Sequence, residues 1–503
     1  MQINQCKKLL IPFLLFLILG YSAYLRLFHI REYMVFLGDQ GRDLMAVREM
    51  LVNHKITFLG PTASVGGFFL GPIYFYMIAP FLWLSNYDPI GPSIMVALFG
   101  IATVLLAYKF CSDFIDKKLA LIAALLTAIS PLIIRYSRYS WNPNVVPFFA
   151  LLIIYCLAKM SITNEKKWPF VIGLSLGILL QLHYLSLFLL PVVFIYLLII
   201  KKLLTKNTLW ILIGFLITIS PFLSFELRHG FPNIQSIFNF IKTGKDTGAT
   251  EILFWGHVNE IPQRLFTKIL ASKQPVFGNF LLWFSLLGTT LGILIKKYHK
   301  LTALLLIWFI FPLILYGLYK REIYDYYLGI IFIFPIIALV FSMNILLTIG
   351  KKLKFFLLFV FVSLLLFSIK SSYTDRPILD GQSLQVDTTE RVVEEIIKHL
   401  NNKPFNFALI TPANSDHAYR YFLEIKEHKS TIIETVEKDP ERKTVTDQLI
   451  VLCEQSECSP LGHSLWEISG FGRAEIIEKF NAVIFSAYRL QHYLPKPSSE
   501  PHQ

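Results

Sequence analysis

The segment FLGDQGRDLMAVREML, residues 36–51, places several charged side chains directly after the first long apolar run of the chain. Its apolar residues Leu44, Val47 and Leu51 recur at helical spacing, which predicts a helix with one apolar face. A helix with one apolar and one charged face lies in a membrane interface more readily than across a bilayer. We therefore expect residues 36–51 to form an amphipathic helix on the outer membrane surface.

Two carboxylates of this predicted helix, Asp39 and Asp43, are four residues apart and share a face, with Arg42 beside them. An ionised carboxylate at a membrane boundary is costly unless it is paired, so such a group is a candidate functional residue. The alternative is structural: Asp39 would cap the helix N-terminus after a turn at Gly38, and Asp43 would pair with Arg42. The residues alone leave both interpretations open.

The composition of the chain is that of a polytopic membrane protein. Of its 503 residues, 54% are hydrophobic and 15% are aromatic, and several apolar runs reach the length that spans a bilayer. The formal net charge is +13, but most Lys residues stand in short clusters between apolar runs, which is typical of cytoplasmic loops. The sequence has no long basic tract interleaved with aromatic residues, so nucleic acid is not an expected partner.

The apolar runs predict about eleven membrane crossings, with the N-terminus and the Lys-rich loops in the cytoplasm and the C-terminal tail outside. The first run has no small-residue cleavage site after it and is expected to be retained. Residues 68–84 are also apolar, but Gly71, Pro72 and Pro80 interrupt them, which predicts an interfacial or re-entrant helix. The predicted spans are residues 9–30, 92–110, 118–135, 145–160, 168–182, 184–200, 208–225, 276–295, 301–319, 326–348 and 355–370.

The two predicted faces of the membrane differ in their basic residues. The proposed cytoplasmic loops contain Lys and no Arg, whereas the proposed outer side carries Arg. The planar guanidinium binds phosphate or carboxylate through paired hydrogen bonds, which indicates an anion site outside; solvated surfaces and chance are the alternative. These outer arginines are Arg31, Arg42, Arg48, Arg135, Arg138, Arg228, Arg264 and Arg321.

A series of motifs resembles the GT-C glycosyltransferases, in particular the protein O-mannosyltransferase and aminoarabinose-transferase group (glycosyltransferase family 39). Asp39, Arg42 and the REML ending match the first outer loop of that family, although Gln40 stands where the family has Glu. The later motifs follow in the family's order, although Asn142 replaces a second carboxylate. They are FFLGPIYFYM, RYSWNPNVVPFFALL, GLSLGILLQLHYLSLFLLPV and YDYYLGIIFIFPIIALV, so the resemblance covers roughly residues 1–350.

The resemblance implies a polytopic α-helical membrane protein of the GT-C fold, followed by a small extracytoplasmic α/β domain that the polar C-terminal composition also predicts. The membrane domain is expected over residues 1–372, with outer loops at 31–91 and 226–275, and the second domain over 373–503. In that second domain the patterns predict helices at 388–400 and 415–427, and strands at 406–412, 447–454 and 481–490. Cys453 and Cys458 could form a disulfide there.

The activity implied by the resemblance is transfer of a sugar from a polyprenyl-phosphate-linked donor to an acceptor hydroxyl, with inversion and with Asp39 as base. For the donor phosphate we expect Arg321, Arg138, His183, Tyr324 and Tyr327. For the sugar and acceptor we expect Gln40, Arg42, Asp43, Trp141, Asn142 and Asn144. Interfacial anchoring explains the same aromatic residues and Arg equally well.

Several properties stay open at the level of sequence. The acceptor is a protein, a lipid or a glycan, and neither it nor the sugar is identified. No spacing of His, Cys or Asp predicts a metal site, and use of a divalent metal is an open question. The expected location is the plasma (inner) membrane, in many passes, with the lipid bilayer as a partner. A lipid or solute transporter without transferase chemistry is the alternative function.

Overall fold

The computed structural model describes residues 2–63, 66–243, 254–350, 385–412, 414–455 and 458–493, with a few further residues between 353 and 366. The chain divides into two compact units. We call the first, which runs to Tyr33 and resumes at Met50, the membrane unit. The second unit joins Met34–Glu49 to the described residues from Gln385 onward, and we call it the C-terminal unit.

This division differs from the predicted domains in one segment. The predicted membrane domain includes all of residues 31–91, whereas Met34–Glu49, the segment that carries Asp39, packs with the C-terminal residues. The predicted boundary at residue 372 lies outside the described residues. Contacts between residues that are distant in sequence decide this grouping, and a pattern read along the sequence does not contain them.

Helices make up the membrane unit. The Asp39 helix, Gly38–Val52, belongs mostly to the C-terminal unit but is numbered with them in chain order. In chain order the helices up to the C-terminal unit are α1 Gln2–Leu27, α2 Ile30–Tyr33, α3 Gly38–Val52, α4 Ile73–Leu84, α5 Ile90–Phe114, α6 Leu119–Ile129, α7 Pro131–Tyr136, α8 Val146–Met160, α9 Lys167–Leu182, α10 Leu190–Ile199, α11 Lys206–His229, α12 Pro232–Thr243, α13 Phe254–Leu270, α14 Pro275–Leu291, α15 His299–Leu318 and α16 Phe334–Ile349. Short 3-10 turns at Asn142–Val145, Tyr184–Leu189, Gly292–Leu294, Lys296–Tyr298 and Asp325–Ile331 join some of them.

Six helices in the described residues are long and apolar enough to cross a bilayer, or seven if the pair Asp325–Ile331 and Phe334–Ile349, bent by 42°, counts as one span. They are Leu9–Leu27, Ile90–Phe114, Asn142–Met160, Lys206–His229, Pro275–Leu294 and Lys296–Leu318. Shorter apolar helices, among them α6 and α9, occupy other predicted spans, and α4 lies in the predicted interfacial segment 68–84. The chain is therefore a multi-pass membrane protein, and the count of about eleven crossings stays a prediction.

Residues 68–84 contain α4, whose 12 residues extend over about 18 Å, less than the roughly 30 Å of a hydrocarbon core. The predicted spans 168–182 and 184–200 appear as α9 and the apolar residues Tyr184–Ile199, with the break between them at His183. His183 has an extended backbone, which ends α9.

The C-terminal unit contains a four-stranded sheet and three helices in its described residues beyond 385. The helices are α17 Gln385–Lys398, α18 His417–Ile425 and α19 Trp466–Ser469; the strands are β1 Asn406–Ile410, β2 Gln448–Cys453, β3 Ala474–Ala482 and β4 Phe485–His492. The strand order is β1-β2-β4-β3, with β1 and β2 parallel and the other neighbours antiparallel. Every residue of β1 and β2 is buried, which is typical of parallel apolar strands.

One predicted strand of this unit is wrong. Residues 481–490 were expected to be a single strand, but they contain the turn between β3 and β4, and most of β3 precedes them. The turn is at Val483, which has a φ of 59°. β-branched residues rarely take a positive φ, so no residue type marks a turn at this position. Cys453 and Cys458 form the expected disulfide.

Candidate functional site

The segment that carries Asp39 is tied to the C-terminal unit by backbone hydrogen bonds. The amide of Phe36 donates to Gln385 Oε1 at 2.9 Å, and the amide of Gly38 donates to Asn414 Oδ1 at 3.0 Å. The first amides of a helix have no acceptor within the helix, so Asn414 Oδ1 gives the Gly38 amide a hydrogen-bond partner that the helix itself does not provide. Asn414 therefore helps to fix where α3 begins.

Gln40 completes the start of α3. Its Oε1 accepts from the amide of Leu37 at 2.9 Å, which is the contact that a Glu or Gln makes in a capping box. The side chain is buried, with 5% of its surface exposed. Gln40, which we expected to bind substrate, thus has a capping contact here, and the alternative in which Asp39 itself caps the helix is not the arrangement seen.

Two glycines bring α3 into backbone contact with the start of α18. A Cβ atom placed on Gly41 would lie 2.4 Å from the amide nitrogen of Ala418, and one placed on Gly38 would lie 1.8 Å from Ser415 Oγ. Real Cβ atoms do not approach other atoms so closely, so a larger residue at Gly41 would force the two helices apart. The Gly-x-x-Gly spacing is visible in the sequence, but the surface it packs on is not.

Side chains extend this contact along α3. Phe36 packs edge-on against Phe422, with the ring centres 5.4 Å apart. At the far end, Arg48 Nη1 lies 2.6 Å from Glu424 Oε1, and both side chains are largely buried. A partly buried ion pair of this kind holds its geometry better than an exposed one. Residues 34–49 are thus held to the C-terminal unit at both ends.

Asp39 and Asp43 have opposite environments although they share Arg42. Asp39 is about half exposed, and its Oδ1 lies 3.0 Å from Arg42 Nη1. Asp43 is only 3% exposed, and its Oδ1 accepts from both Nη2 and Nε of Arg42 at 2.9 and 3.1 Å. The predicted trio therefore comes together, with one carboxylate open to solvent and one enclosed.

The pKa values in this trio follow from burial and charge. Burial raises the pKa of Asp43 to about 7, against the opposing effect of Arg42. Burial lowers the pKa of Arg42, but Asp43 and Asp39 raise it by more, so the pKa lies above its ordinary value. Nearby, burial lowers the pKa of His417, whose Nδ1 is 2.9 Å from Ser415 Oγ. Arg42 thus stays charged beside the exposed carboxylate of Asp39.

In the membrane unit, the aromatic residues predicted to meet the donor are in contact with one another. The ring of His183 lies 4.9 Å from that of Tyr327, and Trp141 lies 4.4 Å from Tyr326. Tyr324 stacks on Tyr326 at 5.9 Å. We call this set, Trp141, His183, Tyr324, Tyr326 and Tyr327, the aromatic cluster. Rings of this kind suit stacking against a sugar, as the sequence analysis expected.

The two asparagines next to Trp141 are used by the backbone. Asn142 Nδ2 donates to the carbonyl of Leu182 at 2.5 Å, and Asn144 Nδ2 donates to the carbonyl of Tyr139 at 3.0 Å. Both side chains are buried. Both amides thus bond to backbone carbonyls of neighbouring segments before α8.

The two arginines predicted for the donor phosphate have different surroundings. Arg138 is 2% exposed; its Nη2 donates to the carbonyl of Phe28 at 2.8 Å, and its guanidinium lies over the ring of Tyr33 at 4.4 Å. Arg321 lies between α15 and the 3-10 turn that holds Tyr327, and it is partly buried. Arg138 is therefore a packed residue at the end of the first helices, whereas Arg321 belongs to the segment of the aromatic cluster.

Two basic residues of α13, which the sequence alone did not connect with this segment, hold it in place. Arg264 Nη2 donates to the carbonyl of Ile323 at 2.6 Å, and Lys268 Nζ lies 2.7 Å from Asp325 Oδ2. Both basic residues are on α13, which lies within the predicted outer loop 226–275. Their spacing of four residues on an amphipathic helix is the signal that could have indicated a shared partner.

Glu226, in the same predicted loop, is fully buried. Its Oε1 accepts from Asn233 Nδ2 at 2.7 Å and its Oε2 accepts from the amide of Ile234 at 3.1 Å. The carboxylate therefore caps the start of α12. Among the described residues, no group of three or more His, Cys, Asp or Glu side chains is arranged to hold a metal ion.

Comparison with known proteins agrees with this architecture. The crystal structure of ArnT from Cupriavidus metallidurans bound to undecaprenyl phosphate matches with a TM-score of 0.63 at 10% sequence identity, over 96% of this chain and 97% of that one. The apo state of ArnT from the same organism also gives 0.63 at 10% identity, over 97% and 98% of the two chains. No curated protein matches the chain by sequence.

The chain thus has an ArnT-like fold, the GT-C fold that the motifs predicted, and it has the predicted small C-terminal sheet domain. Residues 70–225 match the sequence family described as dolichyl-phosphate-mannose-protein mannosyltransferase. The resemblance inferred from the motifs is confirmed by both findings. The family match covers α4 to α11, whereas Asp39 lies before its first residue.

Proposed function

We propose that the protein transfers a sugar from a polyprenyl-phosphate-linked donor to a hydroxyl group of an acceptor on the outer face of the membrane, with Asp39 as base. The observation that carries this proposal is the Asp39 carboxylate, about half exposed and ion-paired with Arg42 on a helix whose start is fixed by Asn414. The similarity to an ArnT structure that contains undecaprenyl phosphate supports a lipid-linked donor.

The proposed chemistry is a single displacement. Asp39 accepts the proton of the acceptor hydroxyl, and the oxygen of that hydroxyl attacks the anomeric carbon of the sugar. The bond between this carbon and the phosphate oxygen breaks, and the phosphate leaves with the electron pair, so the configuration inverts. Arg42 holds the carboxylate through its ion pair at 3.0 Å, and a positioned base of this kind contributes about 10²–10⁴-fold to the rate.

The leaving phosphate needs positive charge or hydrogen-bond donors. We assign this role to Arg321 together with Tyr324, Tyr327 and His183, which belong to one segment and its aromatic contacts. Trp141 provides a ring for the sugar. The contacts of Arg138 with Phe28 and Tyr33 instead favour a structural role for that guanidinium.

The proposed topology follows the Lys distribution. The N-terminus and the Lys-rich loops face the cytoplasm, and the C-terminal unit with Asp39 faces outward from the plasma (inner) membrane. The disulfide between Cys453 and Cys458 supports an oxidising compartment for that unit.

The decisive experiment is Asp39→Asn in the purified full-length protein in lipid nanodiscs. Polyprenyl-phosphate mannose and polyprenyl-phosphate aminoarabinose are supplied in turn, and released polyprenyl phosphate and transferred sugar are measured. We expect the variant to lose about 10²–10⁴-fold in rate while its amount and thermal unfolding stay normal. Glu475→Gln, which removes an exposed carboxylate from β3 of the same unit, is the matched control. Near-normal transfer by Asp39→Asn would reject the proposal, and a wild-type protein that moves lipid without releasing phosphate would identify a transporter.

A further inference from the structure

A cleft of about 430 Å³ opens in the C-terminal unit beside the start of the Asp39 helix. Leu37 lines it from the segment before α3, Thr388 from α17, and Asn414 from the segment between β1 and α18. Phe485, the first residue of β4, also lines it. The volume is within the range of pockets that bind small organic ligands. Three residues that hold the segment before the Asp39 helix, Phe36, Gln385 and Asn414, line the cleft, whereas Asp39, Arg42 and Asp43 do not.

The polar side of the cleft is built around one carboxylate. Glu454 Oε2 accepts from Thr411 Oγ1 at 2.6 Å, and its Oε1 accepts from the Tyr419 hydroxyl at 2.7 Å and from Asn414 Nδ2 at 3.2 Å. Three neutral donors thus orient one ionisable group without neutralising its charge. Each oxygen of a carboxylate accepts more than one hydrogen bond, so Glu454 keeps capacity for a ligand.

The charge of the cleft restricts what it binds. Among the described residues that line it, Glu454 is the one acidic side chain, and Lys, Arg and His are not present. A phosphate or carboxylate ligand would meet a negative charge and no cation, which is unfavourable in a partly enclosed site. The donor phosphate is therefore a poor occupant, and a neutral or positively charged ligand is favoured.

The cleft also has apolar lining. Phe36, Pro412, Ile484 and Phe485 supply aromatic and aliphatic surface, and Thr388 and Gln385 add polar groups. A sugar ring has matching chemistry, because its C–H face packs on aromatic surface and its hydroxyls exchange hydrogen bonds with hydroxyl, amide and carboxylate groups. A purely apolar ligand would leave the remaining acceptor capacity of Glu454 without a partner, which is costly.

The geometry points to this cleft as the subsite for a saccharide unit of the acceptor, neutral or carrying an amino group, and this inference rests on the proposed function. Asn414 links the two sites directly, since its amide group contacts Glu454 through Nδ2 and the Gly38 amide through Oδ1. Asp39 is the next residue after Gly38. A saccharide bound beside Leu37 would therefore lie next to the segment that presents the base.

Binding is tested with the full-length protein in detergent by saturation-transfer NMR and calorimetry. The probes are N,N′-diacetylchitobiose, which is neutral, its de-N-acetylated form, which carries ammonium groups, inorganic phosphate, and a Ser/Thr-containing hexapeptide. We expect one or both saccharides to bind and phosphate and peptide not to bind. Binding of the peptide alone, or of no saccharide, would overturn the inference.

Two variants locate the binding. Thr388→Trp fills the cleft from α17 and should weaken saccharide binding at least tenfold, with thermal unfolding checked separately. Glu454→Gln keeps the shape and should weaken binding of the amino form more than that of the neutral form. Wild-type affinity in both folded variants would place the saccharide elsewhere and reject the subsite.

The same samples separate this inference from the proposed function. Asp39→Asn should abolish transfer yet bind the saccharides with unchanged affinity. A wild-type protein that binds them in the cleft but never releases polyprenyl phosphate would reject the proposed function alone. A protein that releases polyprenyl phosphate but binds no saccharide would reject the subsite alone.

Discussion

The Asp39 helix and the aromatic cluster are both candidate site regions, but different interactions build them. In the C-terminal unit, contacts between residues more than 370 positions apart fix a short helix and leave one carboxylate half exposed. In the membrane unit, ring packing and the ion pairs of α13 position Tyr324–Tyr327, while the nearby amides of Asn142 and Asn144 bond to backbone carbonyls.

The difference separates groups available for chemistry from groups that maintain the fold. Gln40, Asp43, Asn142, Asn144 and Arg138 were all expected to bind substrate, and each is buried with at least one polar atom bonded to the protein. Asp39 is instead about half exposed, and its Oδ1 lies 3.0 Å from Arg42 Nη1. A ligand reaches an exposed and oriented side chain more readily than a buried one that is bonded to the protein.

The largest expected structural effect is at the contact between α3 and α18. Gly41→Val places side-chain atoms where the backbone of Ala418 lies, and backbone cannot move aside as a flexible side chain does. We expect the C-terminal unit to lose about 3 kcal/mol of stability, which is the upper end of the usual cost of overpacking. Sugar transfer should be lost together with this stability. Limited proteolysis and thermal unfolding of the full-length protein would measure this.

The control for Gly41→Val is Gly20→Val in α1, where an added Cβ meets nothing within 4 Å. That variant should unfold like the wild type and retain activity. If both variants behave alike, the close approach of α3 and α18 is not what holds the Asp39 helix.

The pH dependence of stability should reveal the buried partner of Arg42. The pKa of Asp43 is about 7 in the folded protein and about 4 in an unfolded chain. Between these values the folded state binds more protons than the unfolded state, so the contribution of this group to stability falls as pH rises from about 4 to 7. Asp43→Asn lacks this titrating group and should not lose that stability. The unfolding midpoint of the variant minus that of wild type should therefore increase from about pH 4 to about pH 7.

Unfolding midpoints of wild type and Asp43→Asn between pH 4 and 8 measure the effect. Asp39→Asn provides the contrast, since it removes the exposed carboxylate and leaves the buried one. A constant difference between wild type and Asp43→Asn at every pH would show that Asp43 does not titrate in this window.

The two arginines of the membrane unit should separate stability from donor use. Arg138→Ala removes the hydrogen bond to Phe28 and leaves that carbonyl without its donor, so we expect a loss of about 1–3 kcal/mol in stability. Arg321→Ala should instead raise the KM for the polyprenyl-phosphate sugar at an unchanged protein level. Equal loss of protein in both variants would favour interfacial anchoring for Arg321.

Local spacing was enough to predict the Asp39 helix, the membrane helices and the general composition of the C-terminal domain. It was not enough to predict the contacts that hold these elements in place, because Asn414 and Glu424 bond to α3 from 376 positions away in the sequence. The turn at Val483 was missed since β-branched residues carry no turn signal. Gln40 and Asn142 were assigned to substrate because polar residues near a predicted site serve capping and binding equally well from sequence alone.

The smallest expected effect tests the link between the cleft and the Asp39 helix. Asn414→Ala removes the acceptor for the Gly38 amide, and loss of such a cap costs about 0.5–2 kcal/mol. Asn414→Asp keeps an oxygen that accepts from the Gly38 amide. It replaces the Nδ2 group that donates to Glu454 with a second negatively charged oxygen. We therefore expect Asn414→Asp to preserve amide protection at Gly38 in hydrogen exchange and to lose saccharide binding, whereas Asn414→Ala should lose both. Identical behaviour of the two variants would mean that the side chain does not connect the cleft to the helix, and that the two sites act independently.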